Sequence, residues 1–376
     1  MTTYDAHKLT AAQLEAFGIE LDALRARILS DIGEKDAVYI RKVQAAVRVT
    51  EVAGRALLFG GILPPLWLAG TSLLGLSKIL ENMELGHNVM HGQYDWMNDP
   101  ELTSETFDWD NIARGEDWRM THNFIHHTYT NVRGKDRDIG YGLLRLFPEQ
   151  RWAPVFWPQP IYAFILATIF QWAVALHHTE IDQLLIGKKT RDEWIAEVLP
   201  LVPKALRQVG KDYVLFPALA GPLFFPVLTG NVVANLMRNY WAFAIIFCGH
   251  FTEESHTFEL SVLDDESRGH WYWRQILGSA NLSGGKLFHI LSGNLSHQIE
   301  HHLFPDIPAW RYAGISEEVQ EICLRYGIPY NVGPFGKQFG TVIQRIFKYA
   351  PPNGKTYLDL FKRRPRRAKA TATAAA

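Results

Sequence analysis

Along this chain, long uncharged apolar runs alternate with polar segments, and the alternation organises it before any motif is read. The first run, "ALLFGGILPPLWLAGTSLLGLSKIL" (56–80), carries no charge before Lys78. The second, "APVFWPQPIYAFILATIFQWAVAL", covers 153–176. The third is "YVLFPALAGPLFFPVLTG" (213–230), and the fourth, "YWAFAIIFCG" (240–249), directly follows "NVVANLMRN". A helix that crosses a bilayer core needs about 20 apolar residues, and the first two runs meet that length. Uncharged runs of this kind are uncommon in soluble cores. The pattern therefore predicts an all-α integral membrane protein, although a mean hydropathy near zero conceals it.

Three regions follow from the same pattern. Residues 1–50 read as a soluble or interfacial helical arm, because "TAAQLEAFGIELDALRARILSDI" repeats apolar groups at helical spacing. No uninterrupted apolar core of a secretion signal appears in residues 1–40. Residues 51–350 form the membrane domain. Residues 351–376 end in the basic, low-complexity "KRRPRRAKATATAAA", expected to be disordered and cytoplasmic.

Charge and cysteine content remove several functions. A net charge of −1 over 376 residues gives no electrostatic basis for nucleic-acid binding. Two cysteines, Cys248 and Cys323, supply neither a disulfide framework nor a thiolate metal site, which suits a reducing compartment.

The chemistry lies in the 15 histidines. His-x-x-x-His-His occurs as "HNFIHH" (His122, His126, His127) and again as "HQIEHH" (His297, His301, His302), while "HNVMH" sets His87 and His91 four apart. On a helix, i and i+4 place two imidazoles on one face a turn apart, as a shared metal requires. Thiolate-free imidazole coordination suits iron, zinc, copper or nickel, with iron and zinc the usual catalytic choices. These eight imidazoles exceed the roughly four to six ligands of one ion, so two metals fit the count. All three clusters flank apolar runs and can meet at one membrane face. Boxes two and three share a face only if the chain crosses an even number of times between them. One of the three apolar segments there should then not cross. Pro154, Pro158 and Pro160 direct that expectation to 153–176, leaving 213–230 and 231–249 as a hairpin.

In "GHNVMHGQYDW", "HNFIHHTYTN" and "GNLSHQIEHHLFPDIP" the chain resembles the membrane fatty acid desaturases, over roughly residues 50 to 325. Bacterial acyl-CoA desaturases of the stearoyl-CoA type look most similar. The resemblance implies about four transmembrane helices and a cytoplasmic helical cap that holds a histidine-rich di-metal site of two iron ions. It implies a fatty acyl substrate, as acyl-CoA or acyl-lipid, in an apolar tunnel among the helices. The reaction it implies is removal of two hydrogens to leave a cis double bond, with O2 as co-substrate and two external electrons. A lone histidine between the last helix and the third box is also implied; "FCGHFTEESH" offers His250, at the end of the apolar run, ahead of His256. Two departures matter. Many relatives have His-x-x-His-His in the third box, where Gln298 occupies the first position here. His297 is placed first as ligand because it would share a helical face with His301, and Gln298 is the alternative. The heme-binding "HPGG" of a fused cytochrome b5 is not found, so electrons should come from a partner such as ferredoxin with a flavin-dependent NAD(P)H reductase.

Weaker candidates accompany these. Asp138, Glu254, Glu300 and Asp306 could orient imidazoles, and Arg133, Lys135 and Arg137 could meet a phosphate or headgroup. His177, His178, His270 and His289 match no box. A membrane hydroxylase shares the three-box layout and is the rival enzyme. A metal transporter or storage protein is the rival from another class, although transporters place ligands near the bilayer midplane.

Overall fold

The computed structural model describes residues 9–360, so the end of the basic tail lies outside the described residues. Helix α1 (Ala11–Ser30) opens on a capping box in which the Thr10 side chain accepts from the Gln13 amide. Helices α2 (Glu34–Leu58) and α3 (Pro64–Leu80) form an antiparallel hairpin. The backbones nearly touch: a Cβ on Gly54 would lie 2.7 Å from the Leu74 nitrogen and 2.9 Å from the Gly70 oxygen. Small residues permit such approaches between membrane helices.

The run 56–80 is thus not one helix. Its first residues end α2, and the chain turns at 59–63 before Pro64 starts α3. "FGGILPP" carries the signal, with two glycines at a helix end and a proline at N1 of the next. Nor does an element end at residue 50, since α2 runs through it.

Past α3 the helix continues as a π-helical segment, Glu81–His87, into Asn88–Met90. The second box repeats this form: Gly115–Trp118 leads into π-helical Arg119–His126 and then His127–Tyr129. Next come α4 (Gln159–Thr168) and α5 (Phe170–His178), bent by 100° at Ile169. The expected irregularity of 153–176 is present, but the three prolines sit at or before the start of α4 and the bend falls later.

The expected hairpin of 213–230 and 231–249 is placed differently. Val202–Val209, Gly210–Leu215 and Phe216–Leu219 follow one another as the first arm, and the chain turns near 220–223. The second arm is α6 (Phe224–His250), 27 residues that pass through position 231 without a break. Gly221 and Pro222 mark the turn, whereas Gly230 lies inside α6 because its missing side chain lets Leu58 pack there.

Helix α7 (Arg268–Gly278) precedes a short turn, Leu295–His297, and the third-box helix Gln298–Leu303. Helices α8 (Tyr312–Arg325) and α9 (Phe335–Lys348) complete the chain's long elements. Two three-residue strands, β1 (Asn281–Ser283) and β2 (Val332–Pro334), pair in parallel. The structure is otherwise overwhelmingly helical.

Two layers result. One is the bundle of α2, α3 and α6, with Leu58, Leu74, Val227 and Ala234 at its centre. The other is a helical layer in which α1, α7, α8 and the third-box helix share a core including Phe17, Leu21, Tyr272, Ile299, Phe304 and Val319. By length and composition, Gly221–His250 can cross a membrane, and the bent pair α4–α5 passes only when counted as one span. Several charges inside the bundle are paired. Asp212, fully buried, accepts from Arg55 at 3.1 Å, Lys78 at 2.7 Å and Asn235 at 3.0 Å, as ionisable groups among membrane helices generally require.

Candidate metal centre

The three boxes and the end of α6 converge. His87, His91, His122 and His301 each offer a ring nitrogen, all within 4.8 Å of one another. His126, His250 and His302 form a second group on the same criterion. His127 stands between them, its ring 4.7 Å from those of His91 and His301 and stacked at 4.3 Å on that of His302. His250 is therefore the lone histidine that joins the boxes, and His256 joins neither group.

Tautomers decide what the second group can bind. Nδ1 of His126 lies 3.1 and 3.2 Å from the two Asp136 oxygens, Nδ1 of His250 lies 3.2 Å from the Gly278 carbonyl, and Nδ1 of His302 lies 3.1 Å from Gln275 Oε1. Each partner is an acceptor, since the Gln275 amide nitrogen already donates to the His127 carbonyl. Each Nδ1 therefore carries a proton, and in the neutral ring Nε2 is the free lone pair; burial would lower His126, but the Asp136 carboxylate holds it above the ordinary imidazole range. Those lone pairs face one another: His250 Nε2 lies 3.3 Å from His126 Nε2 and 3.1 Å from His302 Nε2. Three ring nitrogens converging this closely, with the Gln298 amide nitrogen also 3.0 Å from His250 Nε2, form a site that a cation can fill.

The first group tells the same story through unmet needs. His87, His91 and His122 leave Nε2 buried without a partner, and His127 and His301 leave both ring nitrogens so. A buried unsatisfied polar atom costs about 1–3 kcal/mol, and few native structures carry so many in one place without a ligand. Burial, then the neighbouring imidazoles, holds His127, His301 and His302 well below the ordinary imidazole range. They are neutral and able to donate to a metal. The donor set thus fits two cations of the iron or zinc type.

One expected ligand lies apart from both groups. His297 joins neither group; its ring lies 4.6 Å from that of His289, which bonds to Ser296 and the Gly284 carbonyl. The helical-face argument required His297 and His301 in one helix, but the helix begins at Gln298 and His297 is its non-helical N-cap. Gln298 is the residue that shares a face with His301 and His302. Its amide nitrogen lies 3.0 Å from His250 Nε2, packed against Gly249, where an added Cβ would meet it at 2.9 Å.

Around the imidazoles, Asp138 faces His122 at 3.8 Å and bonds His177 at 3.2 Å. Burial would raise the Asp138 carboxyl, but its His122 and His177 contacts hold it well below the usual range. Asp136, which orients His126, was not singled out from the sequence; it lies two residues from Asp138 in the same loop, and no spacing rule separates them. The other acidic candidates point elsewhere. Glu300 accepts from Tyr330 and Asn281, Asp306 pairs with Arg25, and Glu254 makes no contact with an imidazole group. Arg133 pairs with Glu259 and Arg137 with Glu180 and Asp182, while Lys135 lies over Tyr129.

One cavity adjoins the centre and a second borders the first. A narrow one of about 60 Å³ touches His87, His122, His126 and His250 and continues past Tyr141, Phe170, Val174 and Ile246. Trp109 and Asn111 also line an open vestibule of about 410 Å³, bordered by Arg48, Lys204, Arg207 and Lys211.

The family model described as "Fatty acid desaturase" matches residues 63–334. The chain is 47% identical to the NADPH-dependent stearoyl-CoA 9-desaturase of Mycobacterium tuberculosis over 349 residues, 92% of this chain and 82% of the relative. It is 27% identical to the sn-1 linoleoyl-lipid 6-desaturase of Synechocystis sp. over 311 residues, covering 79% and 83% of the two chains. With Fatty acid desaturase 3 of Homo sapiens it shares 23% identity over 254 residues, 65% of this chain and 51% of the relative.

Proposed function

The chain belongs to the fatty acid desaturase family, and from that premise we propose an acyl-CoA desaturase whose double bond is placed at the metal centre between the three boxes. That it is an oxidoreductase introducing unsaturation into a fatty acyl chain follows from the family. Iron as the metal, acyl-CoA as the carrier and the 9-position of the bond are the finer parts of the reading, supported by the stearoyl-CoA 9-desaturase relative.

The convergent Nε2 atoms of His126, His250 and His302 carry the proposal. In this reading His87, His91, His122 and His301 hold one iron and His126, His250 and His302 the other. His127 lies within reach of both, and Gln298 takes the place first expected of His297. When bound, two irons supply, with O2 and two electrons, the oxidising power that an unactivated methylene C–H bond demands and no side-chain acid or base provides.

The chain's own residues do the rest. Asp136, the Gly278 carbonyl and Gln275 fix the three Nδ1 protons and hence the ring orientations. Phe170, Val174 and Ile246 form an apolar wall along which an acyl chain can lie beside the imidazoles. At the other end the vestibule is lined by cations and carboxylates together, with Arg48 paired to Glu101, Lys204 to Asp108 and Lys211 to Asp110, and Arg207 is the cation there left to meet a phosphate of a CoA carrier. Electrons come from an external donor, a ferredoxin with an NAD(P)H-dependent flavin reductase or an NADPH-dependent reductase like that implied by the relative's name. The protein is multi-pass, with this centre on the cytoplasmic side.

Expression in a host that lacks its own acyl desaturase tests the reading. The expected product is a cis double bond at the 9-position of the host's stearoyl chains, located by mass spectrometry. Hydroxylated chains would instead establish the rival hydroxylase chemistry.

A further inference from the structure

Arg238 is a deeply buried charge that makes no direct ion pair among the described residues, with the carboxylates of Asp110 and Asp212 nearby. Arg238 lies within α6, twelve residues before His250, and its side chain is only 2% exposed. Its neighbours in the bundle are matched: Arg55 and Lys78 bind Asp212, and Lys211 binds Asp110. Arg238 has only long contacts to neutral oxygens, 3.4 and 3.2 Å to the Asn239 side chain and 3.5 Å to the Asp110 carbonyl. A guanidinium stays charged, and burying it with neutral, stretched partners is costly. An ionisable group held this way among membrane helices points to a functional partner.

Its position indicates what that partner is. Arg238 lines the same narrow cavity as His122, His126 and His250. Its Asp110 contact places it at the neck, where Trp109 and Asn111 line both the cavity and the charged vestibule. Asn82, Asn111 and Asn239 give the cavity polar lining beside Arg238, and Phe170, Val174 and Ile246 give it apolar lining. A substrate with one polar carbonyl and a long alkyl chain suits that mixed lining. Along α6, Arg238 and His250 are separated by about 18 Å. Less the reach of the two side chains, an extended run of methylenes spans that gap.

We propose that the Arg238 guanidinium binds the carbonyl oxygen at the head of the acyl group, and that this anchor sets which carbons lie at the metal centre. The inference rests on the acyl-CoA reading and adds a regioselectivity-determining residue to it. Asn239, already bonded to Arg238, holds the guanidinium in place.

Wild type, Arg238→Gln and Arg238→Lys, each purified with its metal, are compared on stearoyl-CoA with an external reductant. With the anchor lost, Arg238→Gln should keep wild-type iron content, raise KM about ten- to hundredfold, as expected for losing a charged hydrogen bond, and spread the double bond over neighbouring positions. Arg238→Lys should retain the wild-type position as its main product. A single unchanged position with KM within about twofold in Arg238→Gln would overturn the proposal. Should Arg238→Gln fail to fold, the wild-type enzyme decides the matter with a thioether analogue of stearoyl-CoA in which CH2 replaces the carbonyl. The analogue should bind about ten- to hundredfold more weakly than stearoyl-CoA, and equal binding overturns the anchor. Wild type that desaturates lipid-bound chains but not stearoyl-CoA would refute the acyl-CoA reading, and the anchor with it.

Discussion

Histidine 126 shows how one residue can be legible while its partner is not. The His-x-x-x-His-His pattern marks it from sequence, because imidazoles at that spacing have few other uses. Asp136 sets its tautomer, yet nothing in "RGKDRD" distinguishes Asp136 from Asp138; only the fold, which brings the Asn131 and Asp138 backbone amides to Asp136, does so. Asp136→Asn should therefore lower iron affinity about 10- to 100-fold, measured by competition with a chelator, and also lower the melting temperature, since its NH2 would face the Asn131 or Asp138 backbone N–H. The third box gives a sharper contrast. His297→Ala should keep wild-type iron content and activity, since His297 packs on His289. Gln298→Ala, which opens a gap beside His250, should lose activity at least tenfold. The reverse pattern, read by metal analysis and turnover, would restore the assignment made from helical spacing.

At the scale of elements, the sequence was clearest about composition and least clear about where helices bend. Apolar runs located the bundle, but residues 56–80 concealed a turn and α6 passed through an expected break. The reason is physical: Gly-Gly and Pro-Pro report local backbone limits, whereas Gly230 is set by Leu58 packing across the bundle, which no local pattern records. The π-helical form of the first two boxes was likewise invisible. Such segments recur at functional sites, and here they end on His87 and His126. The third box is docked onto the first by a left-handed turn at Gly293 (φ +69°) and Asn294 (φ +54°). Asn294 binds both oxygens of Glu84 at 3.0 Å, and a Cβ on Gly293 would lie 2.5 Å from the Met83 carbonyl. Gly293→Ala should destabilise the protein by more than about 1 kcal/mol. It should lower the melting temperature of the detergent-solubilised enzyme and loosen the iron together.

For the whole molecule, two layers meet at one plane of imidazoles. Helices α3 and α6 deliver His87, His91 and His250 from the bundle, and the helical layer delivers His301 and His302. Family membership was legible in the boxes alone; the division into a polar vestibule and an apolar cavity was not, because its walls come from residues scattered between 44 and 298. If the vestibule seats a CoA carrier, Arg207→Glu should raise KM for acyl-CoA several-fold with little change in kcat, and added salt should shrink the difference. The claim on which all of this stands is that the converging lone pairs hold two irons. Elemental analysis of the purified, detergent-solubilised protein measures that directly. Two irons per chain, falling together in His126→Ala, is the expected result; one zinc per chain, or iron content unchanged in His126→Ala, would contradict it.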